Sequence, residues 1–217
     1  MKFKLVAFDV DGTLTVGGLW PRLHKHMCVP EQINKGNLEK FKNGQLVYED
    51  WVKHDIMLFK ELGANKSKLM DGLKDFELIE GGLELIQELK KAGYKLAIVS
   101  GTLNIVLEKI FPDYEKYFDY TFFNHILFDE NGEIIGHEVT PYDNEGKAEA
   151  LKLIAEKEGL DLSECVFIGD NFNDVEIAKA AGLSIAFNCK SEALAEVADV
   201  VVMGHDMRNL LDYIHEN

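Results

Sequence analysis

The sequence predicts a doubly wound α/β fold, in which helices cover both faces of a parallel sheet. Short runs that are apolar almost throughout recur along the chain, and such runs are typical of strands buried on both faces. Helical patterns alternate with them and end at glycine, as in Leu83, Ile86 and Leu89 before Gly93. Alternating strands and helices favour this fold class. The strand-like runs are residues 3–8, 96–99, 166–168, 183–187 and 200–203.

A long interval after the first strand predicts an inserted unit. The chain has 217 residues, which suits one large domain or one domain with a sizeable insertion. About 85 residues separate the first two apolar runs, where a simple crossover needs a dozen or a few more. Val52, Ile56 and Phe59 lie at helical spacing inside this interval. We therefore expect an α/β core of residues 1–15 and 78–217, and a small helical cap of residues 16–77. Breaks between cap helices are expected near Pro30, Asn43-Gly44 and Gly63.

A second, smaller interruption has the pattern of a β-hairpin. The apolar runs 126–128 and 134–135 flank Asn131-Gly132. Asn-Gly between apolar runs is a strong signal for the tight turn of a hairpin.

Charge and composition exclude some classes of function. The 38 acidic and 23 basic residues give a formal net charge of -15, which argues against nucleic-acid binding. The first residues have too short an apolar stretch for a signal peptide, and no run approaches the roughly 18 residues of a membrane span. Cys28, Cys165 and Cys189 form no Cys-x-x-Cys pair. These features predict a cytoplasmic protein with reduced thiols, which for Cys165 and Cys189 are explained by packing.

Carboxylates follow two of the predicted strands. Asp9 and Asp11 come after the first, and Asp170 and Asp174 come after the run 166–168. Ligands of a doubly wound sheet bind beyond the carboxyl ends of its strands, so these four side chains are expected to share one site. Like charges at close range raise one another's pKa, and a hard cation removes that cost. The ligand type therefore indicates Mg²⁺, which prefers oxygen donors and often binds together with phosphate.

Three further residues predict a pocket for phosphate. Ser100 is a short hydroxyl beside Gly101, which leaves the neighbouring N–H groups approachable to an anion. Lys147 lies near the start of a predicted helix, where the backbone partial charge is also positive. Each signal alone has an ordinary structural explanation: a turn, a helix cap or a solvated lysine. The two carboxylate pairs, Ser100-Gly101 and Lys147 make four signals in chain order. Because each lies at a strand end or at the start of the following helix, together they favour a functional site.

These residues resemble the four signature motifs of the haloacid dehalogenase superfamily of phosphohydrolases. The aspartate motif resembles residues 9–14, the hydroxyl motif Ser100-Gly101, the lysine motif Lys147, and the acidic motif residues 169–174. A helical cap between the first two motifs is similar to that of the phosphoserine phosphatase branch, as is the stretch 179–188.

The resemblance implies a role for each residue. Asp9 would attack phosphorus to give an aspartyl-phosphate, and Asp11 would protonate the leaving alcohol and then deprotonate water. Ser100 and Lys147 would bind the phosphoryl oxygens, and Asn173 would help to place the substrate. Mg²⁺ would be held by the Asp9 carboxylate, the Asp11 backbone carbonyl and Asp170, with Asp174 supporting from close by.

The resemblance weakens where substrate would be recognised. Members of the branch usually carry Glu near Gly18, Arg near Lys53 and Ser at Gly12, so phosphoserine is one candidate among small phosphorylated metabolites. Further cap candidates have ordinary explanations as well: the tryptophans pack inside the cap, and the pair His24-x-His26 lies at the surface. Those candidates are Trp20, Arg22, His24, Trp51, Lys53 and His54.

Other functions remain open from the sequence. A phosphotransferase or mutase would pass the aspartyl-phosphate to another hydroxyl instead of water. A receiver-type signalling domain also has an acidic pocket and a phosphorylated aspartate, but it needs neither a lid nor the leaving-group acid Asp11. A binding scaffold derived from an enzyme is disfavoured because every catalytic position is filled.

Overall fold

In the computed structural model, which describes residues 2–215, the chain forms one mixed sheet with helices on both faces. The strand order is β4-β3-β2-β1-β5-β6-β7, and every neighbouring pair is parallel except the hairpin β3-β4. The order reverses at the central strand β1, so this is the doubly wound fold that the sequence predicts. The strands are β1 Leu5–Phe8, β2 Lys95–Leu103, β3 Tyr120–Phe128, β4 Ile134–Glu138, β5 Cys165–Gly169, β6 Leu183–Phe187 and β7 Val200–Val202.

Helices fill the predicted insertion and connect the strands of the sheet. Four of them, α1 to α4, lie within residues 16–77, with breaks at the three expected places. The hairpin at Asn131-Gly132 is present as β3-β4. The helices are α1 Leu19–His26, α2 Glu31–Lys42, α3 Tyr48–Glu61, α4 Lys66–Gly72, α5 Gly82–Lys91, α6 Asn104–Ile110, α7 Glu145–Glu158, α8 Val175–Ala180, α9 Glu192–Val197 and α10 Leu210–His215.

Strand β1 separates two hydrophobic cores. Leu5 and Ala7 face a core shared with α7 and α8, whereas Val6 and Phe8 face a larger core shared with α5 and the helices of the insertion. Alternate residues of a strand point to opposite faces, so a strand buried on both faces must be apolar throughout. This burial explains why β1 has no polar residue between Leu5 and Phe8.

Two strands differ from the prediction. β2 does not stop at Val99 but continues through Ser100 and Gly101 to Leu103, with a shift in its register against β3. β3 starts at Tyr120, six residues before the predicted hairpin strand. Buried Asn124 interrupts the apolar pattern of β3, which is why a search for wholly apolar runs does not find its first half.

Within residues 2–215, no helix combines the length and the apolar character needed to cross a membrane.

Candidate active site

A cavity of about 490 Å³ opens at the carboxyl ends of the central strands, between the sheet and helices α1 to α3. Asp9, Asp11, Ser100 and Gly101 line its floor, together with Asn173. Lys147, Asp170 and Asp174 are buried, each at most 1% exposed. Among the described residues, these three are not part of the cavity lining. The strand-end residues predicted from the sequence are therefore at or directly behind one cavity floor.

Lys147 joins the carboxylates behind this floor. Its Nζ atom donates to Asp9 Oδ1 at 2.7 Å and to Asp174 Oδ1 at 2.6 Å, and Asp143 Oδ1 lies 3.6 Å away. Burial alone would lower the pKa of Lys147, but Asp174, Asp9 and Asp143 hold it well above its ordinary value. The ammonium therefore stays charged beside Asp9.

Three carboxylates form a cluster suited to a hard cation. One oxygen each of Asp9, Asp170 and Asp174 lies within 4.8 Å of the others. Burial raises the pKa of Asp9 well above its ordinary value, and Asp174 and Asp170 push it further up, against the effect of Lys147. The second oxygen of Asp174, Oδ2, accepts the backbone N–H groups of Asp170 and Asn171, at 2.9 and 3.0 Å. An all-oxygen donor set whose members repel one another fits a divalent cation such as Mg²⁺.

Asp11 lies outside that cluster. Its Oδ1 atom accepts the backbone N–H of Leu19, the first residue of α1, at 3.0 Å. Burial raises the pKa of Asp11 to about 7, although the Leu19 N–H opposes the shift. A carboxyl group with a pKa near neutrality can both give and take a proton, which is the property of a general acid and base.

The Gly101 carbonyl accepts hydrogen bonds both from helices of the insertion and from the sheet. It accepts Trp20 Nε1–H at 3.2 Å, the Tyr48 hydroxyl at 3.3 Å and the Asn124 amide at 3.2 Å. A Cβ atom at Gly101 would lie 2.7 Å from Asp143 Oδ2 and 2.8 Å from the Tyr48 oxygen, so only glycine fits this crowded position. Ser100 beside it is 1% exposed, and its hydroxyl accepts the Thr102 N–H at 3.3 Å.

Lys190 brings a second ammonium to the carboxylates. Its Nζ atom donates to Asp170 Oδ2 at 2.5 Å, and half of its side chain is exposed. Gly12, whose φ is 93°, lies against this pair, and a Cβ atom there would collide with both the Asp170 carboxylate and the Lys190 ammonium. The glycine at position 12 therefore makes room for the contact between Lys190 and Asp170.

The opposite wall of the cavity, from helices α1 to α3, is mostly apolar and aromatic. Trp20 stacks on Phe59, and Trp51 packs against Phe41. Beside them His24 Nε2 lies 3.0 Å from Asp55 Oδ2, with both side chains less than a tenth exposed. The expectation that His24 lies at the surface is therefore wrong, because its acidic partner lies 31 residues away in sequence.

The structure does not bring two of the cap candidates to the cavity. The Arg22 guanidinium lies over the ring of Phe76, 4.9 Å from its centroid, and Lys53 pairs with Asp50 at 3.0 Å on the exposed side of α3. Neither residue lines the cavity in the described part of the chain. Trp20, Trp51 and His24 do line it, whereas His54 lies behind Asp55, with Nδ1 3.1 Å from Asp55 Oδ1.

Sequence reasoning missed several residues of the site. Lys190 follows β6, so the rule that polar residues after a strand face the site would have found it. Asp143 precedes Lys147 by four residues and binds Asn173 Nδ2 at 2.8 Å, a pairing without a sequence signal. Tyr48 and Asn124 likewise meet only in the folded chain, at 2.7 Å.

The chain is similar to known proteins over nearly its whole length. The phosphoserine phosphatase of Methanocaldococcus jannaschii is 35% identical over 215 residues, covering 98% of this chain and 98% of that protein. A solved structure of a phospho-aspartyl intermediate analogue of phosphoserine phosphatase is similar at 31% identity and a TM-score of 0.76, over 99% of this chain and 100% of that chain. A substrate-bound phosphoserine phosphatase complex is similar at 30% identity and a TM-score of 0.77, over 99% of both chains.

The family model of the haloacid dehalogenase-like hydrolases matches residues 3–182, which include all four predicted motifs. The site built from β1, β2, α7 and β5 lies within that match. The chain belongs to the haloacid dehalogenase-like hydrolase family.

Proposed function

We propose that this protein is a Mg²⁺-dependent phosphatase that hydrolyses a small phosphomonoester through an aspartyl-phosphate on Asp9. One observation carries the proposal. Asp9 and Asp11 share the floor of a covered cavity, yet Asp9 accepts the Lys147 ammonium at 2.7 Å whereas Asp11 accepts the uncharged backbone N–H of Leu19 at 3.0 Å. Two carboxyl groups in such different surroundings are suited to different tasks.

In the first step, an Asp9 oxygen attacks the phosphorus atom and the bond from phosphorus to the substrate oxygen breaks. Asp11 gives its proton to that oxygen, so the alcohol leaves uncharged. In the second step, the ionised Asp11 takes a proton from water, and the hydroxide attacks phosphorus and releases Asp9 as a carboxylate. The net reaction consumes one water and yields the alcohol and inorganic phosphate.

Phosphoryl transfer depends mainly on alignment and on neutralising charge. Asp9 and Asp170 would hold the Mg²⁺, with Asp174 orienting them through its bonds to Lys147 and the backbone. When bound, the metal ion supplies positive charge to the phosphoryl oxygens. Ser100 and the backbone around Gly101 would bind the remaining phosphoryl oxygens at the cavity floor.

The test is release of inorganic phosphate from 4-nitrophenyl phosphate and from phosphoserine, measured with Mg²⁺ and after chelation. We expect release only with Mg²⁺, and Asp9→Asn should lose at least about 10³-fold in kcat because the nucleophile is gone. Lys53→Gln is the matched control, because Lys53 lies outside the cavity, and it should keep the activity of the natural chain. Residual turnover in Asp9→Asn near that of the control would refute the role of Asp9.

Two results would point to other functions. Transfer of phosphate to an added alcohol, in preference to water, would indicate a phosphotransferase or mutase. A long-lived phosphorylated protein that releases no phosphate from any ester would favour a receiver-type domain.

A further inference from the structure

We propose that Tyr48 is a positioning residue for Ser100: from the insertion, it fixes the direction of one peptide group and thereby orients the Ser100 hydroxyl toward the phosphate. The inference rests on the proposed function, in which Ser100 binds phosphoryl oxygens, and it adds a residue that acts on the phosphate through other groups. It is carried by an irregularity in strand β2, by the hydrogen bonds of the Tyr48 hydroxyl and by the planarity of one peptide bond.

The irregularity in β2 leaves backbone groups free for other partners. The regular pairs with β3 on its two sides are Val99–Phe122 and Leu103–Asn124. Residues 100–102 lie between these pairs, opposite a single residue of β3. Extra residues in one strand interrupt the ladder of hydrogen bonds, as they do in a β-bulge. The carbonyl groups of this segment can therefore accept donors from side chains.

Tyr48 binds the Gly101 carbonyl through a hydroxyl that both accepts and donates. It accepts the Asn124 amide at 2.7 Å and donates to the carbonyl oxygen at 3.3 Å. Asn124 Oδ1 accepts the Thr140 N–H at 2.9 Å, which leaves the amide NH₂ of Asn124 for Tyr48. Burial and the nearby Asp143 carboxylate raise the pKa of Tyr48 well above its ordinary value, so the hydroxyl keeps the proton that it donates.

The Gly101 carbonyl and the Thr102 N–H belong to one planar peptide group. Among residues 2–215 no peptide bond is cis, and in a trans peptide the C=O and N–H bonds point in opposite directions. A side chain that fixes the carbonyl therefore fixes the N–H as well. Tyr48 binds the carbonyl from the insertion, and the Thr102 N–H points the other way and donates to Ser100 Oγ at 3.3 Å.

This N–H gives Ser100 a defined orientation for binding an anion. A hydroxyl that accepts one N–H still has its own proton to donate, and Ser100 lines the cavity floor. Without a fixed Thr102 N–H, the hydroxyl would occupy several rotamers, and phosphate would have to order it on binding. Tyr48 therefore strengthens phosphate binding through the peptide group and the Ser100 hydroxyl.

The test is a double-mutant cycle between Tyr48 and Ser100. Tyr48→Phe keeps the ring and removes the hydroxyl, and Ser100→Ala removes the group on which Tyr48 acts. The Kd of inorganic phosphate is measured by calorimetric titration in the presence of Mg²⁺. We expect Tyr48→Phe to raise this Kd about fivefold in the natural chain and less than about twofold when Ser100→Ala is also present.

Three results would overturn the inference. An equal rise with and without Ser100→Ala would indicate a direct contact of Tyr48 with phosphate or a general effect on the fold. An unchanged Kd in Tyr48→Phe would show that the hydroxyl has no influence, and an unchanged Kd in Ser100→Ala would show that Ser100 does not bind phosphate. Tyr117→Phe is the matched control, because its hydroxyl accepts the Gln87 amide at 3.2 Å in an exposed contact, and it should leave the Kd unchanged.

Trp20→Phe is a second, independent variant. Trp20 Nε1–H donates to the same Gly101 carbonyl at 3.2 Å, so its loss also loosens the peptide group. Inorganic phosphate has no alcohol part that could contact the Trp20 ring. We expect the effect of Trp20→Phe on the phosphate Kd to shrink when Ser100→Ala is present. An effect of the same size in both cases would contradict the route through the peptide group.

The binding measurement separates this inference from the proposed function, because titration with phosphate needs no turnover. A Tyr48→Phe effect that depends on Ser100 supports the inference even if the natural chain hydrolyses no ester, a result that would refute only the proposed function. Conversely, hydrolysis by the natural chain together with an unchanged phosphate Kd in Tyr48→Phe would support the proposed function and refute the inference.

Discussion

Asp9 and Asp11 are two residues apart, and the fold gives them different partners. Asp9 contacts the Lys147 ammonium and belongs to the carboxylate cluster, whereas Asp11 turns to the start of α1 and accepts the N–H of Leu19. The chain bends directly after both residues at Gly12, whose φ is 93°. The two side chains therefore enter the same cavity floor with different electrostatic surroundings.

This difference predicts how Asp11→Asn behaves. Without the acid, a poor leaving group must depart as an alkoxide, whereas 4-nitrophenolate departs with little help. We expect kcat/KM, which reports the first step and not the hydrolysis step common to both esters, to fall about 10² to 10⁴-fold for an alkyl phosphate and less for 4-nitrophenyl phosphate. Measuring both esters with the variant checks this, and equal losses for the two would count against the acid role.

Lys190 predicts a second effect at the residue scale. Its ammonium occupies Asp170 Oδ2, so Lys190 and a metal ion compete for the same carboxylate. We expect Lys190→Gln to bind Mg²⁺ several-fold more tightly, as measured by calorimetric titration. Lys179→Gln, which removes an exposed lysine paired with Glu176, controls for the general change in net charge. An unchanged or weaker affinity in Lys190→Gln would show that the two cations do not compete.

The residues differ in how far the sequence could predict them. Asp9, Asp11, Asp170 and Asp174 follow apolar runs, and the topology of a parallel sheet is enough to bring such positions together. His24 and Asp55 lie on different helices of the insertion, and their pairing depends on how those helices pack. Amphipathic spacing fixes which face of a helix is buried but not which helix it meets, so this part of the cavity wall was not predictable.

At the scale of elements, Asp119 ties the start of β3 to β2. Its Oδ2 atom accepts the Leu96 N–H at 3.0 Å and the Lys90 ammonium at 2.7 Å, and its own N–H donates to the Leu96 carbonyl at 2.8 Å. Partial burial alone would raise the pKa of Asp119, but the Lys90 and Leu96 donors lower it below its ordinary value. The carboxylate form is therefore favoured in the folded chain.

A lowered pKa in the folded state means that Asp119 contributes stability above the pKa of the unfolded chain and loses it as the pH falls through the folded value. We expect Asp119→Asn to reduce the free energy of unfolding by about 1 kcal/mol at pH 7. The difference from the natural chain should shrink below about pH 4, where both states of the natural chain bind the proton. Urea unfolding at both pH values measures it, and a constant difference would exclude the charge as its cause.

The elements also show where pattern recognition stops. β1 and β5 are buried on both faces and apolar throughout, so they were found with nearly correct ends. β2 continues through Ser100, Gly101 and Thr102 because these small polar residues bind within the site instead of meeting solvent. A strand end that contributes to the site therefore has the polar composition of a loop, and its pairing with the neighbouring strand is found only in the structure.

At the scale of the whole molecule, the net charge of -15 has two parts. Most of the acidic side chains lie at the surface, where water and salt screen them. Asp9, Asp170 and Asp174 are at most 3% exposed, and their mutual repulsion, which Lys147 and Lys190 offset in part, opposes folding and favours the binding of a further cation. Global charge thus argues against polyanionic partners, whereas the buried cluster favours Mg²⁺ and a phosphate monoester.

This buried repulsion predicts that Mg²⁺ stabilises the fold. At a concentration about 100 times its Kd, a bound ion adds about 2.7 kcal/mol, which corresponds to a rise in Tm of at least about 5 °C for a chain of this size. Differential scanning calorimetry with MgCl₂, against NaCl of equal ionic strength, measures the rise. Asp170→Asn should lose most of it, and an equal rise in that variant would place the ion elsewhere.

The three donors on the Gly101 carbonyl limit how this enzyme can change over evolution or in the laboratory. Trp20 and Tyr48 belong to the insertion, whereas Gly101 and Asn124 belong to the sheet. Helices transplanted from a relative with another specificity would bring new side chains to that carbonyl and disturb the neighbouring hydroxyl of Ser100. A successful chimera therefore has to keep Trp20 and Tyr48, or exchange them together with the strand segment around Gly101, so that specificity and phosphate binding are inherited as one unit.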